Sequence, residues 1–191
     1  ASIDHRHVAV KNLCKGDRLI QDHINCSVTE LASLKNYIHQ VRGIINEYCE
    51  YVPEQISVEV SHHYGISQIE KFGCCLLNII NRSYCKKLIV MTKGQSHPTQ
   101  YHNVKEETFR VLHGSLELIL DGSLMNLYKG DEALVRSGVK HSFSAQSDCI
   151  IEELSTTSIN EDSFYEDPKI SSIDRSKRKT ITNLHFDHFD K

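Results

Sequence analysis

The spacing of apolar residues changes twice along the chain. His7-Val-Ala-Val-Lys-Asn-Leu13 alternates apolar and polar as a strand does, and Lys15-Gly16-Asp17 signals a turn after it. From residue 29 the repeat lengthens. Leu31, Leu34, Ile38, Val41, Ile44 and Ile45 recur at three- and four-residue steps, which predicts an amphipathic helix. Thr29 is its expected N-cap, Glu30 sits in its first turn, and Pro53 stops it after about residue 49. Period two then returns in Ile56-Ser-Val-Glu-Val60. One helical turn is expected over residues 67–72, followed by the apolar runs Cys75-Leu-Leu-Asn-Ile-Ile80 and Leu88-Ile-Val-Met91. Asp121-Gly122, Lys129-Gly130 and Ser137-Gly138 punctuate the strands beyond. Short strands at this spacing, with only three prolines and no helical period, predict a mainly β antiparallel barrel or jelly roll.

Three regions follow from that pattern: an N-terminal extension over 1–56, a barrel over 57–155 and a C-terminal tail over 156–191. The extension is expected to pack on the barrel, because the stripe from Leu31 to Ile45 needs an apolar partner surface. In the tail, apolar density falls. Its Arg175, Lys177, Arg178 and Lys179 cluster reads as solvated surface, with Phe164 and Tyr165 folding the segment back onto the barrel. His185 and His188 are expected to be disordered.

Composition narrows the function classes. The chain has 191 residues, 39% hydrophobic and 25% charged, as an ordinary soluble domain does. A net charge of −3 shows no basic excess, which argues against nucleic acid as the main partner. No apolar run approaches the roughly 20 residues a membrane span needs, and the N-terminus lacks the apolar core of a signal peptide. A cytoplasmic setting is expected. The seven cysteines are odd in number and form no C-x-x-C pair, so they read as free thiols in a reducing compartment. Beginning at Ala1, the chain reads as Met-processed or as a piece of a longer protein.

The chemistry concentrates between Gly94 and His141. Gln100 and His102 are two residues apart and share a strand face. Glu107 is in phase with Phe109 and Val111, and His141 with Phe143, leaving Ser142 and Ser144 on the polar face. A closed sheet brings His102, Glu107 and His141 to one interior point. Two imidazoles and a carboxylate suit a first-row divalent metal, and this donor set leaves manganese, iron, nickel and zinc open. Gln100 offers an amide oxygen as a further ligand. The surrounding pocket is expected to use His97, Tyr101, Phe109 and Phe143 for a substrate. His113 and the His62-His63-Tyr64 run read as a turn flank and a polar loop.

These segments resemble the two cupin motifs, with His102, Glu107, Gly114, Gly130, Gly138 and His141 at matching positions. Gln100 stands where cupins usually have a histidine, and Arg136 where the second motif usually has proline. The resemblance implies a cupin jelly-roll barrel carrying an N-terminal helical and β extension, and it spans about residues 57–155. Asn81-Arg-Ser-Tyr-Cys-Lys-Lys-Leu, Lys105-Glu-Glu-Thr-Phe-Arg-Val-Leu and Asp162-Ser-Phe-Tyr-Glu-Asp look like the cupin domain attached to sialic-acid-synthase-like proteins. Residues 7–24 look like the opening of the antifreeze-like (SAF) domain of such synthases. The catalytic barrel of a synthase is absent.

Three functions compete on this reading. The first is a metal-binding cupin that binds a sugar or sugar acid beside nonulosonic acid or surface-polysaccharide synthesis. The second is aldose–ketose isomerisation, since the stretches at 84–87 and 105–109 also resemble the cupin-type D-lyxose isomerases. There Glu107 would be a ligand and Glu106 the base, provided a bulge or strand-end twist turns Glu106 inward. The third is a metal-free barrel that dimerises a parent enzyme. A homodimer is expected in any case.

Overall fold

The structure is a computed structural model that describes residues 26–48 and 52–186. The strand expected at residues 7–13, the SAF-like segment at 7–24 and His188 lie outside the described residues.

Helix α1 (Val28–Tyr48) starts earlier than the pattern predicts, and Ser27 rather than Thr29 caps it. Ser27 and Glu30 form a reciprocal capping box. Glu30 Oε2 accepts the Ser27 N–H at 2.8 Å, while Ser27 Oγ accepts the Glu30 N–H at 3.2 Å. Only this three-residue spacing lets one side chain reach back as the other reaches forward.

Among the described residues, twelve strands build two antiparallel sheets. In chain order they are β1 (Gln55–Ser61), β2 (Cys74–Asn81), β3 (Tyr84–Met91), β4 (Ser96–Tyr101), β5 (Glu107–His113) and β6 (Ser115–Leu120). Then come β7 (Ser123–Tyr128), β8 (Glu132–Val135), β9 (His141–Ala145), β10 (Cys149–Thr156), β11 (Phe164–Tyr165) and β12 (Lys179–His185). One sheet runs β12-β1-β2-β3-β10-β5-β8 and the other β11-β4-β9-β6-β7. A 3-10 turn at Ile66–Gln68 answers the expected helical turn.

The seven-stranded sheet is apolar on both faces, and that doubles the core. Cys75, Leu77, Leu88, Val90 and Ile150 point outward and meet the Leu34, Tyr37, Val41, Ile44 and Ile45 stripe of α1. Cys74, Ile89, Met91, Val111 and Ile151 point inward, where Leu116, Leu118 and Phe143 of the second sheet close the barrel. Neighbouring Cys74 and Cys75 thus serve different cores, as side chains alternating across a sheet must. They are free thiols, as are Cys26, Cys85 and Cys149. Among the described residues, no helix is long and apolar enough to cross a membrane.

The segment beyond residue 155 is more ordered than its polarity suggests. β12 pairs along β1 from Gln55↔His185 to Ser61↔Lys179. Thr180, Thr182 and Leu184 are buried at alternate positions, so one apolar face per strand is enough to hold it in the sheet. A short helix, α2 (Pro168–Ser171), is capped by Asp167 and buries Ile170.

Two turns position the site. At Gly114, between β5 and β6, φ is +78°, and a Cβ would fall 2.1 Å from the Asp148 carbonyl oxygen, so only glycine fits. Asp162 holds the residues between β4 and β5. Its carboxylate accepts the N–H groups of Asn103 and Lys105, both at 2.8 Å, and of Val104 at 3.1 Å. Burial alone would raise the Asp162 carboxyl, but the Lys105, Asn103 and Val104 N–H groups hold it below its ordinary value.

Leu34→Ala should cost about 3 kcal/mol, because it opens a cavity where helix meets sheet, and chemical denaturation will measure it. Asp162→Asn should cost about 2 kcal/mol at neutral pH, since an amide NH2 would face backbone donors. A carboxyl lowered by folding stabilises above its unfolded value and loses that contribution as pH falls through the folded one. The gap between wild type and Asp162→Asn should therefore close as pH falls below the ordinary carboxylate range in urea melts.

Candidate metal and active site

At one end of the barrel the inward positions turn from apolar to charged. On β5 the series Val111, Phe109, Glu107 faces inward; on β10 it is Ile151 then Glu153, and on β3 Ile89 then Lys87. The cross-strand pairs Glu153↔Phe109 and Glu153↔Lys87 set these three strands in register. The opposite sheet adds Gln100 of β4 across from His141 of β9. Gly138 N–H donates to the His102 carbonyl at 2.6 Å, tying the turn before β9 to the end of β4.

His102, Glu107 and His141 meet there, with one potential ligand atom from each lying within 4.8 Å of the others. All three are at most 4% exposed. Glu107 Oε1 is 3.0 Å from His141 Nε2 and 3.5 Å from His102 Nε2. Gln100 Nε2 is 3.3 Å from His141 Nε2. Turning that amide over would present its oxygen instead.

The hydrogen bonds of the far ring nitrogens suit this cluster to a cation. His102 Nδ1–H donates to the Asp162 carbonyl, and His141 Nδ1–H donates to the Val139 carbonyl at 3.0 Å. A ring with its one proton on Nδ1 carries its lone pair on Nε2, and both Nε2 atoms are aimed at the Glu107 carboxylate. His102 Nε2 makes no hydrogen bond, and neither Glu107 oxygen receives a well-directed one. Two nitrogen lone pairs and an anionic oxygen converge, and a divalent cation among them would satisfy all three. The donors therefore fit the metal that their spacing predicts.

Charge around the cluster is compensated from one side. Lys105 is buried, ion-paired to Glu107 Oε2 and 3.0 Å from Glu153 Oε1. Burial would lower the Lys105 ammonium, but Glu153 and Glu107 more than reverse that and raise it. Burial would likewise raise the Glu107 carboxyl, yet His102, His141 and Lys105 hold it well below its ordinary value. Glu153 is buried and lies 3.9 Å from Lys87 Nζ as well.

His102 opens the cluster onto a cavity of about 370 Å³, within the size range of small-ligand sites, while Glu107 and His141 lie behind its lining. Gln100, His102, Lys105 and Glu153 line its inner part, and His63 and Tyr165 a side wall. His63 Nε2 is 3.1 Å from the Tyr165 hydroxyl, and its ring meets His97 edge-on at 4.5 Å. Burial, with help from Arg178 and His62, pushes His63 down to about 3, so it is neutral at physiological pH.

The predicted site residues divide into three groups. Gln100, His102, Glu107 and His141 come together. His97 lines the cavity, its ring stacked 4.6 Å from Phe143. Phe109 and Phe143 are buried in the barrel core beneath His141 and His97 and do not line the cavity. Tyr101 and Glu106 are not brought to the site. Tyr101 alternates with Gln100, so it faces out and stacks on Phe164 at 5.3 Å. Glu106 alternates with Glu107 in the same way and is exposed; no bulge turns it inward. His113 stacks on Tyr48 at 3.6 Å, away from the cavity. The pattern missed Lys105, Glu153, His63 and Tyr165. Glu153 was legible as a lone charge at an inward position of an apolar strand. Nothing local marks His63 or Tyr165, since the ends of β1 and β11 bring them here.

Residues 87–155 match the family model described as Cupin domain. A curated relative is the D-lyxose/D-mannose isomerase of Thermosediminibacter oceani, 26% identical over 149 residues, covering 63% of this chain and 82% of that protein. Another, quercetin 2,3-dioxygenase of Bacillus subtilis, is 42% identical over only 55 residues, 29% of this chain and 16% of that protein. Among solved structures, a mutant L-ribose isomerase of Acinetobacter sp. DL28 in complex with L-ribose superposes with a TM-score of 0.63 at 11% identity. That superposition covers 77% of this chain and 94% of the isomerase. With its two antiparallel sheets, paired turns and matching motif segments, the chain carries a cupin domain in a jelly-roll fold.

Proposed function

We propose that this chain is a metal-dependent aldose–ketose isomerase acting on a small sugar. The observation that carries the reading is the buried convergence of His102 Nε2, His141 Nε2 and Glu107 on one point, beside a second buried carboxylate, Glu153. The likeness to the D-lyxose/D-mannose isomerase over most of that protein's length supports the same reaction class. This reading places the isomerase ahead of an accessory role beside sialic acid synthesis, for which the resembling segments at 81–88, 105–112 and 162–167 are the support.

The metal would be held by His102, Glu107 and His141, with the Gln100 amide as a further donor, and would polarise adjacent sugar oxygens as a Lewis acid. The rest belongs to the chain's own groups. Glu107 is committed to the cluster, which leaves Glu153 as the carboxylate free to move a proton. Glu153 takes the proton from C2 of the aldose, and the electron pair closes a C1–C2 double bond while the carbonyl oxygen is protonated. Glu153 then returns the proton to C1 as the hydroxyl on C2 loses its own, giving the ketose. Lys105 keeps its proton in this environment and so is a donor rather than a base. Its ammonium bridges Glu153 and Glu107 and steadies negative charge on the sugar oxygens. His63, His97 and Tyr165 offer neutral polar groups for the sugar's remaining hydroxyls.

Elemental mass spectrometry of tag-free protein should find near-stoichiometric manganese, iron, nickel or zinc. The His102→Ala/His141→Ala double variant should have lost it. A wild-type protein that stays metal-free after reconstitution would sink this reading. Glu153→Gln should lower exchange of the C2 proton with deuterated solvent by about 10²–10⁴-fold while the metal content holds. Glu106→Gln should exchange like the wild type. The reverse ranking would move the base back to Glu106.

A further inference from the structure

The cavity carries more cations than the catalytic reading uses. Lys87, Lys105, Arg175, Arg178 and Lys179 line it, against the carboxylates Glu59, Glu153 and Glu161. Most of these charges answer one another. Lys105 and Lys87 face Glu153, and Lys179 Nζ is 2.8 Å from Glu59. Glu161 is exposed at the rim. Among the described residues, Arg175 and Arg178 have no carboxylate in ion-pair contact.

Arg178 is fixed in place without being neutralised. Its carbonyl accepts the His62 N–H at 2.8 Å, at the junction where β12 joins β1. Its guanidinium lies over the Tyr165 ring, 5.0 Å from the centroid, and that ring is in turn held by His63. Its Nε is buried and makes no hydrogen bond among the described residues. A planar fork of donors, pre-oriented by an aromatic face and lacking an anion, matches the recognition geometry for carboxylate or phosphate. Surface arginines normally spend such donors on water. Here Arg178 is only partly exposed, with Nε buried, on the wall of a ligand-sized cavity.

We propose that Arg178, with Arg175, forms an oxyanion subsite in the cavity that His102 and Glu153 also line. The substrate is then a sugar bearing a carboxylate or phosphate at the end remote from the carbons being interconverted. The assignment of which end reacts rests on the isomerase reading; the oxyanion subsite itself does not. The curated relative's name specifies neutral sugars, so the proposal separates this chain from that protein in substrate class.

The test is calorimetric binding of D-glucuronate, D-ribose 5-phosphate and neutral D-ribose to the metal-reconstituted full chain. Wild type, Arg178→Gln and Arg178→Lys are compared, and C1–C2 interconversion is followed separately by NMR. At least one acidic sugar should bind more tightly than D-ribose, and whether the carboxylate or the phosphate is preferred identifies the source of the oxyanion. Arg178→Gln should weaken that sugar by about 30-fold, with Arg178→Lys between the two because it keeps charge but not the fork. An unchanged melting temperature will show that the variants fold. Acidic sugars that bind no better than D-ribose, or that bind equally to Arg178→Gln, would overturn the subsite. Arg178-dependent binding with no interconversion of any sugar would uphold the subsite and remove the isomerase reading. Turnover of neutral sugars alone would do the opposite.

Discussion

Everything at the charged end of the barrel depends on a carboxylate that cannot be solvated. Glu107 is buried at the end of an apolar strand face, where an unpaired anion is prohibitive. Its compensation comes from an ammonium shared with Glu153, and a cation would complete it between the carboxylate and two imidazoles whose far nitrogens are pinned to backbone carbonyls. Each partner is held by a different element. His102 follows β4, His141 opens β9, Glu153 is on β10, and Lys105 lies in the turn that Asp162 braces. The cluster therefore acts as a geometric lock on the barrel mouth as well as a chemical site. Removing one member leaves the others with buried charge and no answer to it.

The two-faced sheet explains how so small a barrel holds such a site rigidly. An exposed outer face would let β1 to β3 flex. Here α1 seals that face, and the Tyr37 hydroxyl reaches the Gln95 side chain at 3.2 Å, just before β4. Gln95 also donates to the Ile69 carbonyl at 2.6 Å. Helix, 3-10 turn and the site-bearing strand β4 are thus linked through one buried amide. The C-terminal segment completes the cavity lining, as β11 brings Tyr165 and the residue before β12 brings Arg178 from more than 60 residues beyond His102.

The period-two pattern made most strands readable, and the phase of Glu107 with Phe109 and of His141 with Phe143 was enough to place the cluster inside. The same rule sends Glu106 and Tyr101 outward, and the structure follows it without a bulge. Helix capping was misplaced because several polar residues precede the apolar stripe, and the pattern does not say which pair closes a reciprocal hydrogen bond. The segment after residue 155 read as a tail because an edge strand buries one face and needs few apolar residues. Its Thr180, Thr182 and Leu184 alternation was present but faint beside a basic cluster.

The order of residues by itself determined the alternating faces, the glycine turns and the four donors that meet at the barrel mouth, because side-chain alternation in a strand is a local property of the backbone. It also determined that the helix has an apolar stripe in need of a surface. Only the tertiary structure decided that Glu153 is a second buried carboxylate beside the cluster, that Lys105 is shared between two acids, and that Arg178 lines the cavity with no carboxylate in ion-pair contact among the described residues. Those depend on strand register and on contacts between segments far apart in the chain, and burial acts on a charge only once the fold has removed it from water.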